Sequence, residues 1–282
     1  MFLDALTDTF IDGIKILPFL FVTYVLMEYI EHKAGSKAER FVKKSGRLGP
    51  VVGSILGVVP QCGFSAAAAN FYAGRIITLG TLISIFLSTS DEMLPILISE
   101  KVSPVLIFRI LGMKIVIGMI AGFVIDLILH RKGKEESEMR IEHMCDHEHC
   151  HCDEQNIFKS ALVHTLQIFA FIVVISFALN ILIAIVGEDK LGSFMTSVPA
   201  LGILLSGLIG LIPNCAASVV ITQLYLEGLL TMGSMMAGLL VGSGIGLLVL
   251  FRVNEDMKEN LKITTMLYVI GIACGFLIDL IL

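Results

Sequence analysis

The chain has 282 residues, of which 56% are hydrophobic and only 16% are charged, and its mean hydropathy is +0.88. Soluble domains usually contain about 45–50% apolar and about 25% charged residues, so this composition indicates an integral membrane protein with lipid, and not nucleic acid, around it. The formal net charge of −5 says little, because in a membrane protein the position of each charge matters more than the sum.

Six apolar stretches have about the length that crosses the core of a bilayer, which takes about 20 helical residues. In chain order they are Ile14–Ile30, Ile76–Ile98, Pro104–Leu129, Ile157–Val186, Leu229–Phe251 and Ile263–Leu282. The residues before the first stretch include Asp4, Asp8 and Asp12 and no basic residue. A signal peptide begins with a positive region, so we expect the first stretch to remain as a span.

A seventh apolar segment, Gly49–Gly74, is interrupted by Pro60, Gln61 and Cys62. Proline breaks the hydrogen-bond ladder of a helix, and each remaining arm has only about two to three turns. Neither arm spans a bilayer alone. The pattern therefore predicts a re-entrant hairpin that returns to its own side of the membrane at Arg75.

The chain repeats itself at a shift of 153 residues. The matched pairs are Gly57 and Gly210, Pro60 and Pro213, Cys62 and Cys215, Ser65 and Ser218, Tyr72 and Tyr225, and Gly80 and Gly233. The same shift brings Gly122–Leu129 onto Gly275–Leu282. Chance matching of apolar residues does not explain matched Pro, Cys, Ser and Tyr in one register. We predict a first transmembrane repeat at 1–130, a linker at 131–157 and a second repeat at 158–282.

Positive charge predicts the orientation, because loops rich in Lys and Arg stay in the cytoplasm. Segments 32–48, 131–159 and 252–262 hold six, five and three of the 20 Lys and Arg residues. Three spans and one hairpin per repeat form an odd number of crossings, which inverts the second repeat. The predicted fold is therefore all-α, with two inverted-topology repeats, ten helical elements and both termini outside.

Inverted repeats with broken helices are a known transporter design, in which the substrate binds near the midplane between half-helix ends. The transport site is predicted to use amides, thiols and hydroxyls from both breaks: Gln61, Cys62, Ser65, Asn214, Cys215 and Ser218. Thiolates suit soft metals and amide oxygens suit hard ones. The alternative is that each cysteine is a small apolar filler.

Asp91 and Glu92 lie within the predicted span Ile76–Ile98. Carboxylates inside a membrane are costly and usually mark a pathway, so we assign both to metal binding or proton coupling. The alternative is that they meet water at the outer interface. Their repeat counterpart, Gly242–Gly246, is uncharged and rich in glycine, and we predict that it is unwound.

Four other charges in the spans have structural interpretations. We expect Arg109 and Lys114 to pair with Asp91 or Glu92. Asp126 and Asp279 match in the repeat and are expected to anchor helix ends at the membrane interface.

The linker carries a separate signal, since it gathers four of the seven histidines and three of the six cysteines. They are His143, Cys145, His147, His149, Cys150, His151 and Cys152. Tracts rich in His and Cys are typical of metal binding. The spacing matches no zinc finger, so we predict a flexible cytoplasmic chelator.

Three stretches of the first repeat, Val59–Ser65, Asn70–Arg75 and Ser88–Pro95, resemble a known family. It is the family of ten-helix heavy-metal exporters, whose members carry the names manganese transporter or arsenic efflux protein. The resemblance extends to the second break and to the linker. It implies export of a metal ion from a prokaryotic cytoplasm across the cell membrane, and it does not identify the ion.

Together these features favour a secondary transporter that exports a divalent transition metal ion, with manganese or iron preferred over zinc. No Walker motif is present, so we expect no ATP-driven step and propose proton antiport through Asp91, Glu92 or His164. The metal is cargo, and we expect no resident cofactor. The sequence leaves homo-oligomerisation open.

Three alternatives remain. An arsenite or metalloid efflux permease would favour three convergent thiols, whereas only Cys62 and Cys215 lie at the breaks. An intramembrane enzyme would need a nucleophile and a base, but the matched polar residues are symmetric, so we predict that the chain is not an enzyme. A metal sensor would explain the linker but not the broken helices.

Overall fold

The computed structural model describes residues 48–59, 62–90, 93–131 and 199–281, together with scattered helical positions within 17–25 and 162–177. All regular structure in these residues is helical, which confirms the predicted all-α class for this part of the chain. The predicted spans Ile14–Ile30 and Ile157–Val186 contain only the scattered positions. The histidines and cysteines of the predicted linker lie outside the described residues.

The helices of the first half are α1 (Gly49–Gly57), α2 (Cys62–Ala73), α3 (Leu79–Ser88), α4 (Met93–Ser99) and α5 (Pro104–Arg131). Those of the second half are α6 (Pro199–Gly210), α7 (Cys215–Leu226), α8 (Met232–Val241), α9 (Ile245–Val253) and α10 (Met257–Ile281). Within the described residues, four segments are long and apolar enough to cross a membrane: Leu79–Ser99, Pro104–His130, Met232–Val253 and Met257–Ile281.

Two of the predicted spans each contain two helices rather than one. The first is divided between α3 and α4, because Thr89 leaves the helical conformation with φ −53° and ψ 127°. The second is divided between α8 and α9, where Gly242 has ψ 99° and Gly244 has φ 54°. The left-handed φ of Gly244 suits a residue without a Cβ. The predicted unwinding is confirmed at Gly242–Gly244.

Helix α10 begins at Met257, six residues before the predicted Ile263. Asp256 explains the difference, since its Oδ1 accepts hydrogen bonds from the backbone N–H groups of Lys258 at 2.9 Å and Glu259 at 3.2 Å. Such capping satisfies groups that otherwise have no partner in the first turn. Hydropathy marks only the apolar part of a helix, so the prediction missed the polar first turn.

The same helix contacts occur in both halves. In the first half α3 packs between α1 and α5, and in the second half α8 packs between α6 and α10. The halves also exchange contacts, because α2 packs on α9 and α7 packs on α4. The broken spans are the interior ones. Of their apolar stretches, 69% and 89% are buried inside the protein, whereas 28% is buried in each of the spans formed by α5 and α10. The outer faces of α5 and α10 are therefore left for lipid.

Glycines let the backbones of these helices touch. A Cβ added to Gly118 of α5 would lie 2.8 Å from the carbonyl oxygen of Ser84, and one added to Gly275 of α10 would lie 2.8 Å from that of Gly233. Gly118 and Gly122 are four residues apart, as are Gly271 and Gly275. Small residues at this spacing allow close packing of helices in membranes.

Asp126 and Asp279 are helix caps, so their predicted role as interface anchors is corrected. Asp126 Oδ1 accepts the backbone N–H of Gly80 and Oδ2 accepts the hydroxyl of Thr78, each at 2.7 Å. Asp279 does the same for Gly233 and Thr231, each at 2.6 Å. The carboxylates satisfy the first turns of α3 and α8, and they favour the positive end of each helix dipole.

Replacing Asp126 with alanine should destabilise the protein by about 3 kcal/mol, because two hydrogen bonds to a charged group are lost inside a helix contact. Thermal unfolding of the purified protein in detergent measures this. Glu227, an exposed carboxylate, provides the control, and Glu227→Ala should leave the melting temperature unchanged. Equal stability of Asp126→Ala and wild type would contradict the capping role.

Candidate functional site at the helix breaks

The break in each interior span lies against the end of a short apolar helix, α1 in the first half and α6 in the second. In the first half the hydroxyl of Ser90 donates to the carbonyl of Val58 at 2.5 Å. In the second half a Cβ on Gly210, at the end of α6, would lie 3.2 Å from the backbone nitrogen of Gly242. The ends of α1 and α6 therefore meet the breaks of the interior spans, and they do so in both halves.

A small cavity lies where these breaks come together. Its lining includes two hydroxyl residues from the first half, Thr89 and Ser90, and two polar residues from the second, Asn214 and Ser218. The centre of a water molecule can occupy about 10 Å³ within this cavity. That is room for roughly one water molecule or one small ion.

The rest of the lining is mostly backbone, because four glycines contribute to it: Gly210, Gly238, Gly242 and Gly244. Helix α3 ends just before the lining residue Thr89, and helix α8 ends just before the lining residue Gly242. A helix C-terminus carries partial negative charge on its last carbonyls. The described part of the cavity thus offers hydroxyl, amide and carbonyl oxygens, which are hard donors.

Among the described residues, a charged side chain from α5 reaches the wall of the cavity. Lys114 is fully buried, and its ammonium group donates to the carbonyl of Leu239, which lines the cavity, at 2.5 Å. Lys114 belongs to α5 and Leu239 to α8, so the contact joins the two halves. The repeat counterpart of Lys114 is Leu267, and the positive charge is therefore not duplicated.

The structure brings together part of the predicted site. Asn214 and Ser218 line the cavity. Ser65 is fully buried and packs against Gly246 of α9. A Cβ added to Gly246 would lie 2.7 Å from the Cβ of Ser65. Cys62 and Cys215 begin α2 and α7. Gln61, Asp91 and Glu92 lie outside the described residues, as do the linker ligands.

Sequence reasoning did not select Thr89, Ser90 or the lining glycines as site residues. A signal existed, since Ser88–Ser90 directly precedes Asp91 and the glycine-rich counterpart is Gly242–Gly246. The contact of Lys114 with Leu239 had no signal, because it depends on how the halves pack. Within the described ranges, no group of three His, Cys, Asp or Glu residues could hold a metal ion.

Four apolar membrane-length segments, two of them interrupted around a polar cavity, define a multi-pass membrane protein. Residues 1–186 match the family described as "Putative, 10TM heavy-metal exporter", and the chain belongs to that family. The family is one of exporters and not of enzymes. The match ends before Pro213, so the internal repeat alone relates the second break to the first. No curated protein and no solved structure matches the chain.

Lys114→Met should lower the melting temperature, because the buried carbonyl of Leu239 loses the ammonium group that bonds to it. It should also strengthen binding of dications, since a like charge beside the cavity is removed. Thermal unfolding with and without Mn²⁺ measures both effects, and Lys258→Met, at an exposed lysine, is the control. An unchanged melting temperature would contradict a stabilising role of the Lys114–Leu239 bond.

Proposed function

We propose that the protein is a secondary transporter that exports a divalent transition metal ion from the cytoplasm, with manganese or iron preferred. The observation that carries this proposal is the cavity between the halves, at the point where the interrupted helices end. A membrane protein tolerates non-helical backbone at depth where it lines a cavity or is buried in protein. In transporters with broken helices, such a point is where the substrate binds.

The contacts of α1 support a re-entrant hairpin. Gly49 at the start of α1 lies beside Thr81 near the start of α3, and Gly57 at its end lies beside Ser88 at the end of α3. The two helices thus begin at the same side, so the chain from Val58 to Thr78 has to return there. An arm of 12 residues, such as α6, is roughly 18 Å long, which is short of a bilayer core of roughly 30 Å.

The directions of the helices support an inverted repeat. Ser65, near the start of α2, packs on Gly246, near the start of α9, while Arg75 beyond the end of α2 bonds to Glu259 just after α9. The span α8–α9 therefore runs towards the Arg75 side. The span α3–α4 begins on that side, at Thr78. Counterpart spans run in opposite directions, as inversion requires.

The charges on that side support a cytoplasmic location for it. It carries Arg75 together with Arg252, Lys258 and Lys262, and basic residues are concentrated on the cytoplasmic side of membrane proteins. We accordingly place the linker, 131–157, in the cytoplasm of a prokaryotic cell and both termini outside.

The proposed ligands come from both halves. Asn214, Ser218 and Ser90 supply oxygens, Gln61 is the counterpart of Asn214, and Cys62 and Cys215 begin the helices that follow the breaks. A dication beside the ammonium of Lys114 needs compensating negative charge. Asp91 directly follows the lining residue Ser90 and is the proposed source of that charge, with Glu92 as a second carboxylate.

Arsenite is the second candidate substrate, and Lys114 is the observation that favours it. A neutral hydroxylated solute is not repelled by a fixed ammonium group, and the hydroxyls of Thr89 and Ser90 and the amide of Asn214 are suited to hydrogen bonding with it. Transport of arsenite in place of metal ions by the same vesicles would select this candidate.

The proposed test is uptake into inverted membrane vesicles over a panel of Mn²⁺, Fe²⁺, Zn²⁺ and arsenite. Asp91→Asn should abolish metal uptake, because charge-assisted contacts are roughly twice as strong as neutral ones. Asn214→Ala and Gln61→Ala should reduce it severely, and Cys62→Ser should shift the preference towards harder ions.

Glu100→Gln, at an exposed carboxylate, is the matched control and should transport normally at equal expression. Wild-type rates and selectivity in Asp91→Asn and in the double variant Cys62→Ser, Cys215→Ser would exclude this site.

The linker is proposed to raise the local metal concentration at the cytoplasmic entrance. Replacing its four histidines and three cysteines should weaken metal tolerance of cells at low metal load and leave the maximal uptake rate of vesicles unchanged. Growth and vesicle uptake measured together separate the two roles. Complete loss of vesicle uptake would instead make the linker part of the transport pathway.

A further inference from the structure

A hydrogen-bonded network around Glu259 joins the two halves away from the cavity. Its carboxylate accepts two bonds from the guanidinium of Arg75, at 2.9 and 2.7 Å, one from the hydroxyl of Tyr72 at 2.6 Å and one from the amide of Asn254 at 3.1 Å. The hydrogen bonds to Glu259 raise the pKa of Arg75 above its ordinary value. We call these four residues the Glu259 network.

Arg75 adopts a backbone conformation that is unfavourable for its residue type. Its φ is 57°, and its repeat counterpart is Gly228, with φ 75°. Both positions need the left-handed region, where glycine has no steric cost and other residues do. Strained residues of this kind persist where the surrounding contacts fix them, and they are concentrated at functional sites. The bidentate bond to Glu259 and the ring of Tyr72, 5.1 Å from the guanidinium carbon, are such contacts.

The charged pair of the network is not repeated at the positions that the sequence repeat matches to it. At a shift of 153 residues, Tyr72 is matched by Tyr225, but Arg75 falls on Gly228 and Glu259 falls on Leu106. The tyrosine is thus repeated. The guanidinium–carboxylate pair is found at only one of the two sets of matched positions. A difference of this kind makes one side harder to separate than the other.

The position of the network relates it to the cavity. Helices α2 and α9 pack on each other, beginning where Ser65 touches Gly246 beside the breaks. They reach the proposed cytoplasmic surface at Arg75 and Asn254, the two ends that the network holds together. A path from the cavity to this surface between the halves therefore needs α2 and α9 to separate, and separation breaks the three bonds from Arg75 and Tyr72 to Glu259.

We propose that the Glu259 network is a latch that closes the cytoplasmic side of the transporter, and that loading from the cytoplasm requires it to open. This proposal rests on the proposed function, because a secondary transporter with its site between two halves has to open the site to each side in turn. It does not depend on which substrate is carried. The latch acts on the conformational equilibrium, because three hydrogen bonds form when the halves close and break when they part, two from Arg75 and one from Tyr72 to Glu259.

The test measures access to the cavity and not transport. A reporter cysteine replaces Ala217, a cavity-lining residue, in a chain whose native cysteines are replaced. Inverted vesicles expose the cytoplasmic side to a membrane-impermeant thiol reagent. Arg75→Gly and Glu259→Gln should each raise the rate of labelling by about tenfold, which corresponds to about 1.4 kcal/mol in the closing equilibrium. The labelling of right-side-out vesicles should fall.

Two features of the variants keep the result interpretable. Arg75→Gly introduces the residue found at the counterpart position, Gly228. It removes the backbone strain at residue 75 together with the bonds to Glu259, so the variant should fold. Glu227→Gln, at an exposed carboxylate beside Gly228, is the matched control and should label at the wild-type rate. An equal rise in Glu227→Gln would show a general loosening and overturn the latch.

Unchanged labelling in both Arg75→Gly and Glu259→Gln would also overturn the proposal, as would a rise seen only from the external side. Failure of the substrate proposal gives a different pattern, in which labelling follows the latch variants but no metal of the panel is taken up.

Discussion

The structure depends on one constraint: a backbone that leaves the helical conformation inside a bilayer must find partners within the protein. The described chain leaves it at Val58, at Thr89–Ser90, at Leu211–Asn214 and at Gly242–Gly244. These interruptions are gathered in one place. Ser90 bonds to the carbonyl of Val58, and Lys114 bonds to that of Leu239. The polar cavity results from breaks that satisfy one another, and the apolar lengths of α5 and α10 shield it from lipid.

Gathering the breaks requires the helices on each side to be held in register. The capping carboxylates fix the start of α3 against α5 and the start of α8 against α10. Glycines four residues apart then let the backbones touch along the same faces. Because both devices act near the start of the interior helices, they set the depth at which Thr89 and Gly242 end those helices. A substitution at a cap thus acts on the site through the position of a helix end.

Much of the fold was predictable because its signals are local. Pro213, Gly242 and Gly244 lie where the helical conformation is interrupted, and the sequence repeat related the breaks to one another. The caps were missed for the opposite reason, since the bond between Thr78 and Asp126 joins residues 48 positions apart. Hydropathy alone suggested an interface anchor for a carboxylate near a helix end. The same limit applies to Lys114, whose partner Leu239 lies in the other half.

The candidate site was predictable only in part, again for physical reasons. Asn214 and Ser218 were selected because they lie at or just after Pro213. The repeat matches this proline, and the amide that follows it, to Pro60 and Gln61, which suggests an opened backbone. Thr89 and Ser90 carry no such mark, since hydroxyl residues in apolar helices commonly bond to their own backbone, as Ser88 and Thr89 also do here. Only the contact of their segment with the end of α1 makes them part of a cavity.

The residues shared by the halves and those that differ have separate roles. Shared residues form the scaffold: the caps Asp126 and Asp279, the paired glycines and the prolines at the breaks. The charges near the cavity and at the proposed latch are not shared, because the counterparts of Lys114 and Glu259 are leucines.

A scaffold of two similar halves can open on either side at comparable cost, which is what alternating access needs. It cannot by itself give the two sides different energies, because similar contacts close both. An unshared ion pair on one side supplies that difference. A transporter that takes its cargo from one compartment and releases it into another needs its two states to respond differently to cargo. In the proposed exporter, the charges that break the repeat therefore set which side is closed at rest, and the driving gradient sets the direction of net transport.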